Sequence, residues 1–367
     1  MNIISITKKE LLNFIYSEEF VNLKSLPISR HRALSHYHNP RAKDDDVVLL
    51  LCYIENQYCG YLGIFPDNIY SGDKVLPAAW LSCIWVDPEM RGRKIAQTMV
   101  EKAIEIWNQN ILLVNFTAQA KRTYDRTGLF DDLAKPNGIK AYYKFSLHKI
   151  LPSKNPKYSK YSGLLKFVDT IGNAMLSIKR PFQKIHYLKN LPQVETIKRI
   201  DPETSAFIEK HTTKNLFQRK KEELNWFLTY PWLLSTPIKD EMADKYIFSS
   251  VAQSYKVYPL KIKKNQNLVA FIILTYRDGE MKIPYAYFNP NDKDMVLKVI
   301  FAYSIRLNID NFICFQPNLY ASFSSVKNPF FHLKKQQRHY IMSKVLLNAL
   351  SSLDYTIQDG DGDATFT

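Results

Sequence analysis

Sixteen residues, WVDPEMRGRKIAQTMV at positions 85–100, constrain the fold more than any other stretch of this 367-residue chain. A strand-like apolar approach stops at Asp87-Pro88, three cations gather around Gly92, and apolar positions then recur at helical spacing from Ile95. A strand that turns into a helix at such a point collects unpaired N–H groups and the positive end of the peptide dipoles. Arg91, Arg93 and Lys94 add side-chain charge, and Gly92 adds room for close approach. The stretch therefore reads as an anion site of the phosphate or pyrophosphate kind, with a solvated basic turn as the alternative. Neither GxxxxGK[ST] nor GxGxxG occurs in the chain, so neither a P-loop nor a dinucleotide-binding turn is written here.

The surrounding pattern places this turn in a sheet. Asn2–Ile6 predicts a short strand and Lys8–Ser17 a helix, and a polar stretch follows that carries His31, His36, His38 and Asp44-Asp45-Asp46. Val47–Ile54 and Tyr58–Phe65 read as an antiparallel hairpin, and Val75–Val86 as a third long strand leading into the turn. Ile95–Trp107 is the helix after it, Ile111–Phe116 a further strand, Ala118–Thr127 a helix ended by Gly128, and Ile139–Leu147 a closing strand. The fold class is thus mixed α/β (α+β), a mostly antiparallel sheet flanked by helices.

Two signatures in this order resemble a known family. The run Val86-Asp87-Pro88-Glu89-Met90-Arg91-Gly92-Arg93-Lys94-Ile95-Ala96 is similar to the pyrophosphate loop of the GNAT (Gcn5-related) N-acetyltransferases, [RQ]-x-x-G-x-[GA] after a strand ending V-x-P. Arg91 and Ala96 match its ends, whereas Lys94 stands where the family usually has glycine, so side-chain charge replaces backbone access there. Ala120 through Phe130 resembles the second signature, A-x-x-x-Y-x-x-x-G-F, with one extra residue before the phenylalanine, and Thr117 holds a position that is often asparagine. The resemblance implies that acetyl-CoA is a co-substrate and that its pantetheine arm pairs with the backbone at Ile84, Trp85 and Val86. Its pyrophosphate would meet Arg91, Gly92, Arg93, Lys94, Ile95 and Ala96, with Thr117 nearby. It further implies that an amine attacks the thioester directly and that Tyr124 protonates the leaving thiolate; a core aromatic is the plainer role for Tyr124. No metal is expected. The general base stays open among the loop histidines.

The second half carries most of the charge. Residues 1–150 hold 19 Lys/Arg against 16 Asp/Glu, which leaves +12 of the net +15 for residues 151–367. Eight cations between 151 and 190 face a single acid, Asp169, so 151–195 reads as a basic connection between domains at 1–150 and 196–367. Leu164, Leu165, Val168, Ile171, Met175 and Ile178 form a helical stripe within it. Packing between domains is the expectation for that stripe, and peripheral contact of 161–181 with an anionic membrane is the alternative. Helical residues 206–232, strands at 254–262, 268–276 and 282–288, a helix at 293–307 and a strand at 312–315 repeat the order of the first half. This is similar to a second, degenerate GNAT-like domain in tandem, without the phosphate loop. Gln358–Asp363 reads as a turn before a final strand rather than a calcium loop.

These features predict an acyl-CoA-dependent N-acyltransferase acting on a small-molecule amine or amino sugar. Aminoacyl-tRNA-dependent transfer is the second reading, because the basic half could bind nucleic acid; a non-catalytic CoA-responsive binding module is the third. Four cysteines with no CxxC, apolar runs shorter than the ~20 residues of a membrane span, and no basic-then-apolar leader lead to the expectation of a cytoplasmic protein.

Overall fold

A computed structural model describes residues 1–350 and 354–363, and the final strand expected after Asp363 lies outside the described residues. The first half opens with strand β1 (Asn2–Thr7) and helices α1 (Lys8–Ile15), α2 (Glu18–Asn22) and α3 (Arg30–Tyr37). Strands β2 (Val47–Ile54), β3 (Gln57–Ser71) and β4 (Lys74–Val86) follow, then helix α4 (Ile95–Ile106), β5 (Ile111–Val114), helix α5 (Ala118–Asp125) and β6 (Phe130–Ala134). Next come β7 (Asn137–Tyr142), helices α6 (Leu147–Lys154), α7 (Ser162–Ser177) and α8 (Arg180–Leu188), and β8 (Gln193–Thr196).

The second half begins with helices α9 (Pro202–His211) and α10 (Lys221–Thr229) and the two-residue strands β9 (Leu234–Ser235) and β10 (Val251–Ala252). Long strands β11 (Tyr255–Lys264), β12 (Asn267–Arg277) and β13 (Glu280–Phe288) lead into helix α11 (Lys293–Arg306) and β14 (Asn311–Cys314). Short helices α12 (Pro317–Tyr320) and α13 (Ser322–Ser325), strands β15 (His332–Gln337) and β16 (Tyr340–Ser343), and helix α14 (Lys344–Ala349) complete the order.

Two seven-stranded sheets result, ordered β1-β2-β3-β4-β5-β16-β6 and β8-β11-β12-β13-β14-β7-β15. Each has four antiparallel strands, then a parallel neighbour (β4 with β5, β13 with β14), then a strand antiparallel to that neighbour. The expected closing strand at 139–147 is therefore real but lies in the other sheet: β7 pairs with β14 and β15, and the first sheet is completed by β16 from the far end of the chain. The compact units are correspondingly discontinuous. One comprises residues 1–136, 198–255 and 338–367, the other 137–197 and 256–337, which differs from boundaries at 150 and 195 because the consecutive strands β6 and β7, and β15 and β16, belong to different sheets.

In the first unit, α4 buries Ile95, Met99, Val100, Ala103 and Ile104 on one face of the sheet, against Leu50, Leu62, Ile64 and Leu113. The other face packs Leu49, Leu51 and Tyr61 against α1 and α3 through Leu11, Ile15 and Ala33. In the second unit, α11 covers its sheet with Val296, Val299 and Ile300.

Candidate functional site

The fork in the first sheet originates in β4. This strand pairs with β5 only at Ala79↔Ile111 and Trp80↔Leu112, and its last six residues have no pairing with β5. A register shift opposite Leu62/Gly63, with Cys83 at φ +39°, forms a bulge at the point of divergence; bulges bend the strand that carries them. Beyond the bulge β4 stays paired with β3 through Tyr61↔Trp85 and Gly60↔Val86. Gly60 is required there, since a Cβ would sit 2.8 Å from the Trp85 carbonyl.

After β4, Asp87 accepts from the Glu89 N–H at 3.0 Å and starts a single turn over Pro88–Met90. The chain then passes through Gly92 at φ +86° and Lys94 at φ +59°, both left-handed. Lys94 thus adopts the conformation for which glycine is favoured, at the position where the family signature has glycine. It is the N-cap of α4 and supplies no side-chain hydrogen bond. The first intrahelical bond runs from the Thr98 N–H to the Lys94 carbonyl at 3.0 Å, leaving the N–H groups of Ile95, Ala96 and Gln97 without an acceptor among the described residues. By contrast α5 is capped, its Thr117 hydroxyl accepting from the Ala120 N–H at 3.1 Å. An uncapped helix start with no acid in its first turn is an electropositive, donor-rich point.

This point opens on a cleft of about 340 Å³. Ile84, Trp85 and Val86 line it from β4, Arg91, Gly92, Lys94, Ile95 and Ala96 from the turn and α4, and Thr117 and Tyr124 from α5. Arg93 is not among the lining residues, whereas Arg126, which the sequence signatures do not single out, is. Tyr124 is 4% exposed, with Phe116 and Phe130 edge-on at 6.2 Å. Burial, reinforced by the charge of Asp363, pushes its phenol well above the usual value, so it carries its proton at neutral pH.

Asp363 is a residue that sequence reasoning did not reach, because its place depends on the C-terminal segment returning to the first unit. Its carboxylate accepts from the Ser82 hydroxyl at 2.6 Å, on β4 beside the bulge. Burial raises its pKa above the ordinary value, with the Ser82 hydrogen bond and Arg32 opposing. The same neighbourhood holds Arg32, which is buried and donates to Ser82 Oγ at 2.8 Å, Tyr246 Oη at 3.1 Å and Cys83 Sγ at 2.9 Å.

The histidines lie elsewhere. Part of the stretch read as a polar loop is helix α3, which carries His31 and His36 and ends before His38, and none of the three lines the cleft. His36 is buried against Phe65 and Trp232, and burial followed by the Arg32 charge holds it well below its usual pKa. His31 Nε2 is 2.6 Å from the Trp232 carbonyl, and His38 stacks on Tyr230. Asp45 pairs with Lys9, and Asp46 accepts from the Lys43 N–H. Among the described residues no group of three or more His, Cys, Asp or Glu could hold a metal, and no helix is long and apolar enough to cross a membrane.

Comparison with known proteins gives this geometry a context. No curated protein matches the chain significantly. Saccharomyces cerevisiae N-myristoyltransferase with bound myristoyl-CoA superposes with a TM-score of 0.51 at 10% identity, over 93% of this chain and 82% of that one. An Enterococcus faecalis V583 protein described as a probable N-acyltransferase gives 0.50 at 10% identity, over 93% and 72%. At such identities these likenesses speak for the fold alone. The sequence match is narrower and more specific: residues 11–129, which contain the fork, the turn and Tyr124, fit the acetyltransferase (GNAT) family, and this part of the chain is a GNAT acetyltransferase-family domain.

Proposed function

We propose that the cleft binds an acyl-CoA and that the protein transfers the acyl group to a primary amine of a small molecule by direct attack in a ternary complex, with acetyl-CoA as the donor. The uncapped start of α4, opening beside the end of β4 that is paired with β3 but not with β5, carries this reading. The pyrophosphate would take the free N–H groups of Ile95, Ala96 and Gln97 together with Arg91. The pantetheine amides would pair with the β4 backbone at Ile84–Val86 in the manner of an added strand.

In the reaction the amine nitrogen bonds to the thioester carbon, the carbon–sulfur bond breaks, and the sulfur leaves as a thiolate that takes the Tyr124 proton. Burial that raises the phenol's pKa also raises that of a thiolate formed beside it, which keeps the transfer between them feasible. Asp363 is not among the lining residues, but its charge reaches the Tyr124 phenol and its own pKa is raised, so it is the carboxylate we assign to take the proton lost from the attacking nitrogen. Calorimetric titration with CoA, acetyl-CoA and longer acyl-CoAs tests the reading directly. Saturable binding that weakens at least about tenfold in Arg91→Ala, the loss expected for a charge-assisted bond, would support it. An intact protein that binds none of them would refute it.

A further inference from the structure

Helix α7 turns its amphipathic character inside out, whereas α8 anchors Tyr187 and Leu188 in the core of the second unit. The protein-facing side of α7 is largely polar or small: Asp169 is buried and accepts from the Leu147 and His148 N–H groups at 2.8 and 3.0 Å, and Asn173 both accepts from the Phe145 N–H and donates to its carbonyl. Gly172 lies so close to Phe145 that a Cβ would meet its ring at 2.6 Å. The outward side carries the apolar stripe. Leu164, Phe167, Ile171, Met175 and Ile178 on and just after α7 are all exposed, Ile178 by 72%. On α8 the spacing of three to four residues continues through Phe182, 73% exposed, and Ile185. Packing between domains is the expectation for the stripe; of its side chains Leu164, Val168, Ile171, Met175 and Ile178 are exposed and Leu165 is half-buried.

Around the stripe the charge has one sign. Lys154, Lys157, Lys160, Lys166, Lys179 and Lys184 are all exposed, and so is Lys189. The single acid of the stretch, Asp169, is turned inward and taken up by the start of α6. Tyr158 and Tyr161 stand exposed at the leading edge. A contiguous apolar face of this extent is seldom left to water. An apolar stripe flanked by lysines, with aromatic residues at its margin, has the composition of a helix that lies in a lipid headgroup layer. Pairing with a second copy of the chain would bring two lysine rims together, and a nucleic acid would leave the apolar stripe unsatisfied.

We propose that the outward face of α7 and α8 docks on an anionic bilayer, the apolar side chains entering the acyl boundary and the lysines meeting acidic headgroups. The test is flotation of the full chain with vesicles of phosphatidylcholine alone and of phosphatidylcholine mixed with phosphatidylglycerol. Binding should favour the mixed vesicles by about tenfold or more and weaken as salt rises. The double variant Ile171→Glu/Phe182→Glu should lose binding while its circular dichroism and melting stay unchanged, since neither side chain supports the core. Lys166→Glu/Lys184→Glu should lose the preference for phosphatidylglycerol. Absence of vesicle binding by the intact chain, or undiminished binding by the first variant, overturns the proposal. Self-association abolished by Ile171→Glu/Phe182→Glu, without lipid binding, would also overturn it and make a second copy the occupant.

Discussion

Arg219 donates from both guanidinium Nη atoms to the two carboxylate oxygens of Asp67, at 2.8 and 2.6 Å, across 152 residues of sequence. Arg41 reaches the same carboxylate at 2.7 Å and Glu223 at 2.8 Å, the Trp80 indole N–H donates to Asp67 at 2.8 Å, and Arg219 Nε also meets Asp361 at 3.2 Å. The network ties β3 to the segment before α10 and to the C-terminal turn that carries Asp363. Removing Asp67 would leave two buried guanidiniums without their shared partner, so Asp67→Ala should cost about 3–5 kcal/mol. Urea unfolding measures this, and a loss below about 1 kcal/mol would show that the site rehydrates without penalty.

The same groups set an acid limit. Burial pushes the Asp67 carboxyl up, but Arg219 and Arg41 outweigh it and hold the pKa below the ordinary value; in Glu223, Arg41 likewise prevails over burial. A lowered folded pKa means stability that is present above the unfolded value, about pH 4, and is lost as pH falls through the lowered one. Asp361, pushed up to about 6 by burial against Arg219, works in the opposite direction between there and its unfolded value. Urea midpoints should therefore drop steeply only below about pH 4, and Glu223→Gln should make that drop shallower.

Tyr124→Phe keeps the ring and its contacts with Phe116 and Phe130 but removes the proton. Turnover should fall by roughly 10²–10⁴ with acyl-CoA affinity near its starting value. An unchanged rate would return Tyr124 to the role of a core aromatic.

Asp363→Asn addresses the base. A raised pKa means that the carboxyl is protonated, and unable to accept, over a wider acid range than usual. The pH profile of kcat/KM should therefore rise along an acid limb lying above pH 3.8, and that limb should vanish together with most of the activity in the variant. A limb that survives in Asp363→Asn would assign the proton elsewhere.

Lys94 is held left-handed at φ +59°, a conformation that disfavours side chains with a Cβ by roughly 1 kcal/mol. Lys94→Gly should leave the fold intact or slightly stabilise it, by up to about 1 kcal/mol, because relief of strain competes with the greater freedom of glycine in the unfolded chain. Titration with CoA then separates two contributions. Tighter binding would mean that backbone access limits the phosphates, and weaker binding would mean that the ammonium group contributes more.

Local pattern was enough for much of this molecule. The runs at 47–54, 75–86, 268–276 and 282–288 are strands because apolar, β-branched and aromatic residues dominate them, and the turn at 87–94 is legible because a proline, a glycine and three cations leave few alternatives. Helix α3 is not legible as a helix because it has little apolar periodicity, its buried positions being Arg32, Ser35 and His36 beside the single apolar Ala33.

By itself, then, the amino-acid order determined the mixed α/β class and the strand–turn–helix at 85–100, which depend on neighbours close in sequence. Tertiary structure alone decided the rest. Whether β7 and β16 close their own sheet or the other one cannot be read from alternation, because a strand pairs equally well with any edge of matching register and burial. That choice returns the C-terminal segment to the first unit, joins Arg219 to Asp67 and sets Asp363 on Ser82. On α7 and α8 the tertiary structure turned an apolar stripe outward, since periodicity marks a face without saying what it faces.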